Sequence, residues 1–461
     1  MNSQSRAKTL SRASLALISA AVLAVTGCAQ GTAPEQTQAG GTAGGEDGQV
    51  VLNAIFLPAD WGTVVQEILA PQYEEETGVK VNVELIGRDA IHERMATLFA
   101  GQDSSYDIFN LDYNWIPEFG EGGHLVPMDD VLSPEDLADF HPLSIDVSTW
   151  NGELLGIPQT IHPATLWYNS ALYLDAQMQA DYKAETGNDL APPETFDEWF
   201  EQVKFFHGRE FNGQELSGWA AQAAKGFGNV HTWLSFAFSY GCEPFNADFT
   251  ESTLSTPACI EATERWAEMM QYMPAGANEF TYDNVTAGAQ QGTIATAIQW
   301  SWGQFAVDNP EASQTVGQWE MVTMPDTANS PGSGHLAEWV ISVSKYSQNI
   351  DEAKAFVAWL ETKENDVFQA KNGAGDPVRI SSYDSTDLTT ETLANSSALR
   401  FRRLPVVLEA MESAQARPFF PGEEIWETTL STELSAISLG ESTVTEALAR
   451  ADEAQNRNLA Q

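Results

Sequence analysis

Between Val50 and Leu111 the chain changes its hydrophobic period from strand to helix and back again, and this alternation constrains the fold more than any other feature. Val50-Val51-Leu52-Asn53-Ala54-Ile55-Phe56 reads as a buried strand that stops at Pro58. From Trp61 to Glu76 the apolar residues Val64, Val65, Ile68, Leu69 and Tyr73 fall at helical spacing, and Gly78 ends the run. Val79 to Leu85 alternates apolar and polar side chains, which suits a strand with two different faces. A second helix is expected over 91–100 and a third strand over 106–111. Strands alternating with helices imply a parallel sheet joined by right-handed crossovers. The pattern resumes with helices at Thr195–His207, Pro257–Met273 and Asp351–Leu360, a strand at Trp339–Val343, and two C-terminal helices at Ile425–Leu439 and Thr443–Ala454. Thr195 is placed to cap its helix, with Asp197 and Glu198 in the first turn.

The first 49 residues obey a different logic. Arg6, Lys8 and Arg12 precede an apolar run from Ala13 to Val25, which has the length of a signal-peptide core and is short for a bilayer of about 30 Å. It ends in Val25-Thr26-Gly27-Cys28, which resembles a bacterial lipobox. That resemblance implies cleavage before Cys28 and acylation of its thiol; an ordinary cleaved signal and an uncleaved anchor are the alternatives. Residues 29–49 contain no aromatic or large aliphatic side chain and read as a flexible tether.

About 410 residues remain, more than one hydrophobic core usually supports, so two domains are expected. The formal charge is −43 and becomes more negative once the three basic residues leave with the signal. Such a surface argues against nucleic acid and anionic lipid as partners. Cys242 and Cys259, with a turn-rich stretch between them, are expected to pair in an oxidising compartment. A metal site there is poorly supported, because His231 is the one histidine close by in sequence.

Several phrases then occur in a telling order. Tyr73-Glu74-Glu75-Glu76-Thr77-Gly78-Val79 is followed by Tyr106-Asp107-Ile108 and Gly123-His124-Leu125-Val126-Pro127-Met128-Asp129-Asp130. Next come Asn151-Gly152-Glu153-Leu154-Leu155-Gly156-Ile157-Pro158, Leu166-Trp167-Tyr168-Asn169, Pro193-Glu194-Thr195-Phe196-Asp197-Glu198, and the stretch from Ser342 to Leu360. Together they resemble the family-1 extracellular solute-binding proteins, the carbohydrate-binding lipoproteins of ABC importers. Asn372 to Ser381 and Ala416 to Pro421 are similar to the subgroup that takes up sugar alcohols. Gly334-His335-Leu336-Ala337-Glu338-Trp339 departs from the family's small, neutral habit there.

The resemblance implies an α/β, two-lobed periplasmic-binding-protein-like fold of type II, each lobe a mixed sheet flanked by helices, with ligand in the hinge cleft. It implies residues 50–163 plus about 303–345 for the N-terminal lobe, and 164–302 plus about 346–461 for the C-terminal lobe. Chain crossings are expected near 162–165, near 302–307 and beyond Lys345. The implied function is capture of a sugar or sugar alcohol by hinge closure and delivery to membrane permease subunits. The implied location is the extracytoplasmic face of the bacterial cell membrane, with a lipid anchor as the sole membrane contact. A monomer is expected, with no cofactor and no nucleotide site of its own.

A sugar or polyol presents apolar C–H faces and hydroxyl edges, so it calls for aromatic platforms and for carboxylate, amide or guanidinium groups. Trp61, Trp115, Trp233, Trp300, Trp302 and Trp339 lie beside strand ends or loops and are candidates, each weighed evenly against packing in a core. Asp112, Gln159, His162, Glu338 and Arg379 are the polar candidates. The resemblance places Asp112 and Arg379 at frequent ligand contacts; a salt bridge is the competing role for Arg379, and hinge capping for His162. No nucleophile elbow, Walker loop or zincin motif is present, since His92-Glu93 lacks a second histidine four positions after the first. A secreted glycoside hydrolase is the rival enzymatic reading, but among 65 acidic residues carboxylate pairs carry no information. A binding protein for a betaine or a peptide is the third reading.

Overall fold

The computed structural model describes residues 49–388 and 401–460; Cys28, the signal segment and nearly all of the tether lie outside the described residues. The expected alternation is present. Strands β1 (Val51–Phe56), β2 (Lys80–Leu85) and β3 (Ile108–Asp112) pair in parallel, with β1 in the middle. The helical run between β1 and β2 passes through a π turn at Val65–Leu69 and ends at Gly78, whose φ of 79° is left-handed and costs a glycine little.

Strand β4 (Ile157–Asn169) is thirteen residues long and links the two halves of the sheet system. Its first half pairs with β8 (Leu336–Val343), which itself runs antiparallel to β3. Its second half pairs with β6 (Ile294–Trp300) and β7 (Trp319–Val322), and β6 carries β5 (Ser217–Ala220) in parallel. The strand order is therefore β2-β1-β3-β8-β4-β6-β5, with β7 added to β4. The sheet is mixed because β8 runs against β3, and β4 runs against β8, β6 and β7.

Two large apolar cores define two lobes. Leu52, Phe56, Ile91, Met95, Leu111, Ile157, Val340 and Phe356 belong to the first. Leu166, Trp199, Trp219, Trp233, Trp266, Ile298, Trp426 and Leu430 belong to the second. The cores divide the chain at other points than expected. The Ile350–Leu360 helix packs back on the first core rather than the second, because β8 ends within the first lobe's sheet, with Val343 opposite Ile108 at the start of β3. Val307, Trp319 and Met321 instead pack with Trp167 and Ile294 behind the second lobe's strands. The chain passes between lobes within β4 at Ile161–Ala164, between Met324 and Leu336, and between Met411 and Phe420. At the second passage Gly334 is required: a Cβ there would stand 2.1 Å from the Ala164 carbonyl oxygen.

The Phe196–Phe206 helix carries the capping box anticipated at Thr195 and Glu198 and buries Trp199, Phe200, Val203 and Phe206. The Sγ atoms of Cys242 and Cys259 lie 2.03 Å apart at the edge of the second core. No helix among the described residues is long and apolar enough to cross a membrane.

Candidate functional site

A cavity of about 170 Å³ lies between the lobes, where the ends of β1, β3, β6 and β8 converge. The first lobe contributes Leu57, Trp61, Arg88, Asp112 and Trp339; the second contributes Gln222, Phe227, Tyr282 and Trp300. His162 on the crossing strand and Trp302 complete the wall. Six of these side chains are tryptophan, tyrosine or phenylalanine, and they brace one another. Trp302 stacks on Tyr282 at 4.5 Å between ring centres and stands edge-on to Trp61 at 5.7 Å. Trp61 in turn lies 6.1 Å from Trp339 and 5.5 Å from His162.

The strand geometry explains the two tryptophans of β8 and β6. On β8, Ala337 and Trp339 face the cavity while Glu338 between them points to the opposite face. After β6 the chain turns into a short 3-10 helix at Ser301–Gly303, so Trp300 and Trp302 reach different parts of the wall. Trp300 stacks on His231 at 3.7 Å, and His231 meets His335 Nδ1 to Nδ1 at 2.8 Å. Burial holds both imidazoles well below the usual histidine range, and nearby charge adds to this: Arg417 for His231, and His231 and then Arg417 for His335.

The polar wall is built from one ion pair. Asp112 accepts from Arg88 Nε at 3.0 Å and also pairs with Arg417. Burial works against its charge, but the two guanidinium groups hold its carboxyl below the usual aspartate value. His162 is fixed by Asp376 at Nδ1, 3.4 Å away, and by the Thr160 hydroxyl at Nε2, 2.8 Å away, so both ring nitrogens are engaged and the ring presents its apolar surface. Burial lowers its pKa despite that carboxylate.

Six candidates read from the sequence thus come together: Trp61, Asp112, His162, Trp300, Trp302 and Trp339. Two stand directly behind them. Gln159 accepts from Asn110 Nδ2 at 2.9 Å, and Asn110 accepts from Trp61 Nε1 at 3.2 Å, so Gln159 orients Trp61 through a buried amide relay. Trp115 packs edge-on to Trp339 and donates Nε1 to Glu424 at 2.6 Å.

Three candidates are elsewhere. Trp233 is fully buried in the second core and donates to the Thr263 hydroxyl at 2.8 Å, because it lies on a helix, Phe227–Ser239, that is buried nearly all round, its polar residues included. Glu338 is buried beneath Ser144; neither carboxylate oxygen has a well-formed hydrogen bond, and burial pushes its carboxyl up to about 8. Arg379 serves the competing role, since the segment after Asn372 folds back over 136–140. There it meets Asp136 and Asp139 at 3.3 and 3.4 Å and donates to the Glu361 carbonyl oxygen.

Arg88, Gln222, Phe227 and Tyr282 were not singled out from the sequence. Arg88 had a usable signal, because it opens the helix just after β2, at the strand-end position where open α/β sheets bind ligands. Phe227 follows Gly226, a few residues from the misplaced choice of Trp233. Gln222 and Tyr282 carry no local signal.

The fold is that of a type II periplasmic-binding protein, two α/β lobes enclosing a cleft. Residues 57–367 match the bacterial extracellular solute-binding proteins, and the chain belongs to that family of binding proteins. An erythritol/L-threitol-binding protein of Mycolicibacterium smegmatis is 23% identical over 382 residues, covering 76% of this chain and 77% of that protein. A Sinorhizobium fredii protein named as a probable amino-acid ABC transporter periplasmic-binding protein is 24% identical over 323 residues, covering 68% and 70%. Among solved structures, an ABC transporter solute-binding protein of Agrobacterium radiobacter in complex with ribitol superposes with a TM-score of 0.75 at 20% identity, over 89% of this chain and 98% of that one.

Proposed function

We propose that this chain is the solute-binding component of an ABC importer and that its cavity takes a compact, uncharged sugar or sugar alcohol. The observation that carries this reading is the combination of six aromatic walls with the Arg88–Asp112 pair and the Gln222 amide around a cavity of about 170 Å³. Aromatic faces suit the C–H surface of a polyol, and the forked ion pair suits its hydroxyls. The wall guanidinium of Arg88 is already engaged by Asp112, Glu424 and Glu427, which leaves it little charge to offer the carboxylate of a betaine or an amino acid. The small volume argues against a peptide. A relative named for erythritol and L-threitol and a neighbour holding ribitol support a short polyol; the relative named for amino acids supplies the competing class.

In this reading Trp61, Asp112, His162, Trp300, Trp302 and Trp339 contact the solute, joined by Arg88, Gln222, Phe227 and Tyr282. The protein binds and does not turn over its ligand. Closure of the lobes about the three chain passages shifts the population toward a form that docks as a monomer on permease subunits, where a partner supplies the ATP-driven step. Cleavage after residue 27 and acylation of Cys28 would anchor it, and a Cys242–Cys259 disulfide would staple the second lobe after export.

The test is small-angle scattering and thermal melting of the soluble chain from Gln49 with erythritol, ribitol, D-mannitol, maltose, glycine betaine and L-glutamate. One polyol or monosaccharide is expected to compact the protein and raise its Tm by mass action. Compaction with the betaine or the amino acid alone would refute the sugar assignment, and release of reducing sugar from maltose would favour the hydrolase.

A further inference from the structure

Beside the cavity the two lobes are joined by buried and half-buried charged side chains, several of which do not line it. Glu423, Glu424 and Glu427 lie in the first turns of the Glu423–Ser438 helix, which Trp426, Leu430 and Leu434 anchor in the second core. Each meets a first-lobe side chain. Asn114 donates to Glu423 at 2.5 Å, Trp115 donates to Glu424 at 2.6 Å, and Arg88 Nη2 lies 3.3 Å from Glu424 and 3.8 Å from Glu427. Arg417, on the return segment between lobes, bonds both Asp112 and Glu427. Arg88 is the shared member. It lines the cavity, holds Asp112, and lies 4.8 Å from the ring centre of Phe227 on the opposite lobe.

We propose that Arg88 couples occupancy of the cavity to closure, acting as an interlobe latch through Glu424 and Glu427; the occupancy half of this rests on the cavity being the solute site. Separation of the lobes leaves Arg88 with Asp112 but removes both glutamates, and it strips Trp115 and Asn114 of their acceptors. A solute touching Arg88 fixes the guanidinium in the arrangement that the glutamates grip. Glu424 and Glu427 do not line the cavity, so losing them weakens closure without changing what the cavity recognises. Truncating one partner of a buried charged contact acts mainly on the dissociation rate.

The latch is read first without solute, by a double-mutant cycle of Arg88→Gln and Glu424→Gln in urea unfolding of the soluble chain. The two effects are expected to be less than additive, with a coupling of about fivefold in the unfolding equilibrium; additivity overturns the latch. Arg88→Lys, which keeps the charge but loses the fork, replaces Arg88→Gln if that variant does not fold. The second arm uses whichever of erythritol, ribitol, D-mannitol or maltose the wild type binds. The Glu424→Gln/Glu427→Gln variant is expected to release it about tenfold faster with the rank order of solutes unchanged, while Arg88→Lys changes the rank order. An unchanged release rate overturns the coupling. A wild type that binds none of the four refutes the polyol reading alone, and the cycle still decides the latch.

Discussion

Asp112 and Glu338 are both carboxylates, both buried, and on neighbouring antiparallel strands of the first lobe, with Asp112 opposite Trp339 in register. They nonetheless sit in opposite electrostatic environments. Asp112 ends β3 at the cavity, where Arg88 and Arg417 keep it charged. Glu338 points away from the cavity toward the Ser144 hydroxyl, and burial drives its carboxyl up to about 8, so it is largely protonated at neutral pH. Burial alone therefore does not decide the state of a carboxyl group here. Asp112 lies opposite Trp339 on the cavity face of the sheet, and the pleat of β8 turns Glu338 to the other face.

The strongest way to break this comparison is Asp112→Ala, which removes a buried carboxylate that Arg88 and Arg417 share. It is expected to cost on the order of 3–5 kcal/mol in urea unfolding; a loss below about 1 kcal/mol would mean that Asp112 is not the anchor of the pair. Glu338→Gln should act in the other direction. Because the folded-state pKa of Glu338 is raised from 4.5 to about 8, its contribution to stability is fully present below 4.5 and declines as pH rises toward and through 8. The wild type is therefore expected to weaken across that window, by at most about 1.4 kcal/mol per pH unit from this group. Glu338→Gln removes this group's share of the decline, leaving the variant the more stable protein at pH 9. Parallel pH profiles for the two proteins would contradict the protonated state. A smaller effect is expected at Trp339, which stands between the two carboxylates. Trp339→Phe should weaken solute binding by about 1 kcal/mol while leaving the pH profile of unfolding unchanged; a shifted profile would show that the two faces of β8 are not independent.

Most of the framework was legible in local periodicity. The alternation of 50–111, the Thr195 cap and the C-terminal helices each depend on residues close in sequence, and each is found within a few positions of where it was expected. Lobe membership was less legible, because the Ile350–Leu360 helix is placed by β8 pairing with β3 across more than 200 residues, which local sequence does not encode. The site divides in the same way. Tryptophans at strand ends, such as Trp61, Trp300 and Trp339, were readable because strand ends converge on the cleft. Trp233 lies in the second core instead, on a helix whose polar residues Asn229, His231, Thr232, Ser235 and Ser239 are buried along with its apolar ones, so polarity marks no single inward face. Glu338 and Trp339 are adjacent on one strand, so its pleat lets only one of them face the cavity. The glutamates of the 423–427 turn were hidden in an acidic background and stand out only once the fold sets them against Arg88.

The account turns on a compact, uncharged polyhydroxyl solute in an aromatic cavity between the lobes. Calorimetric titration of the soluble chain from Gln49 with erythritol, ribitol, D-mannitol and maltose, repeated with Trp302→Ala, tests it most directly. Saturable one-to-one binding of a single short polyol, weakened at least tenfold by Trp302→Ala, is the predicted result. Binding that is indifferent to Trp302, or no saturable binding of any of the four, would contradict it.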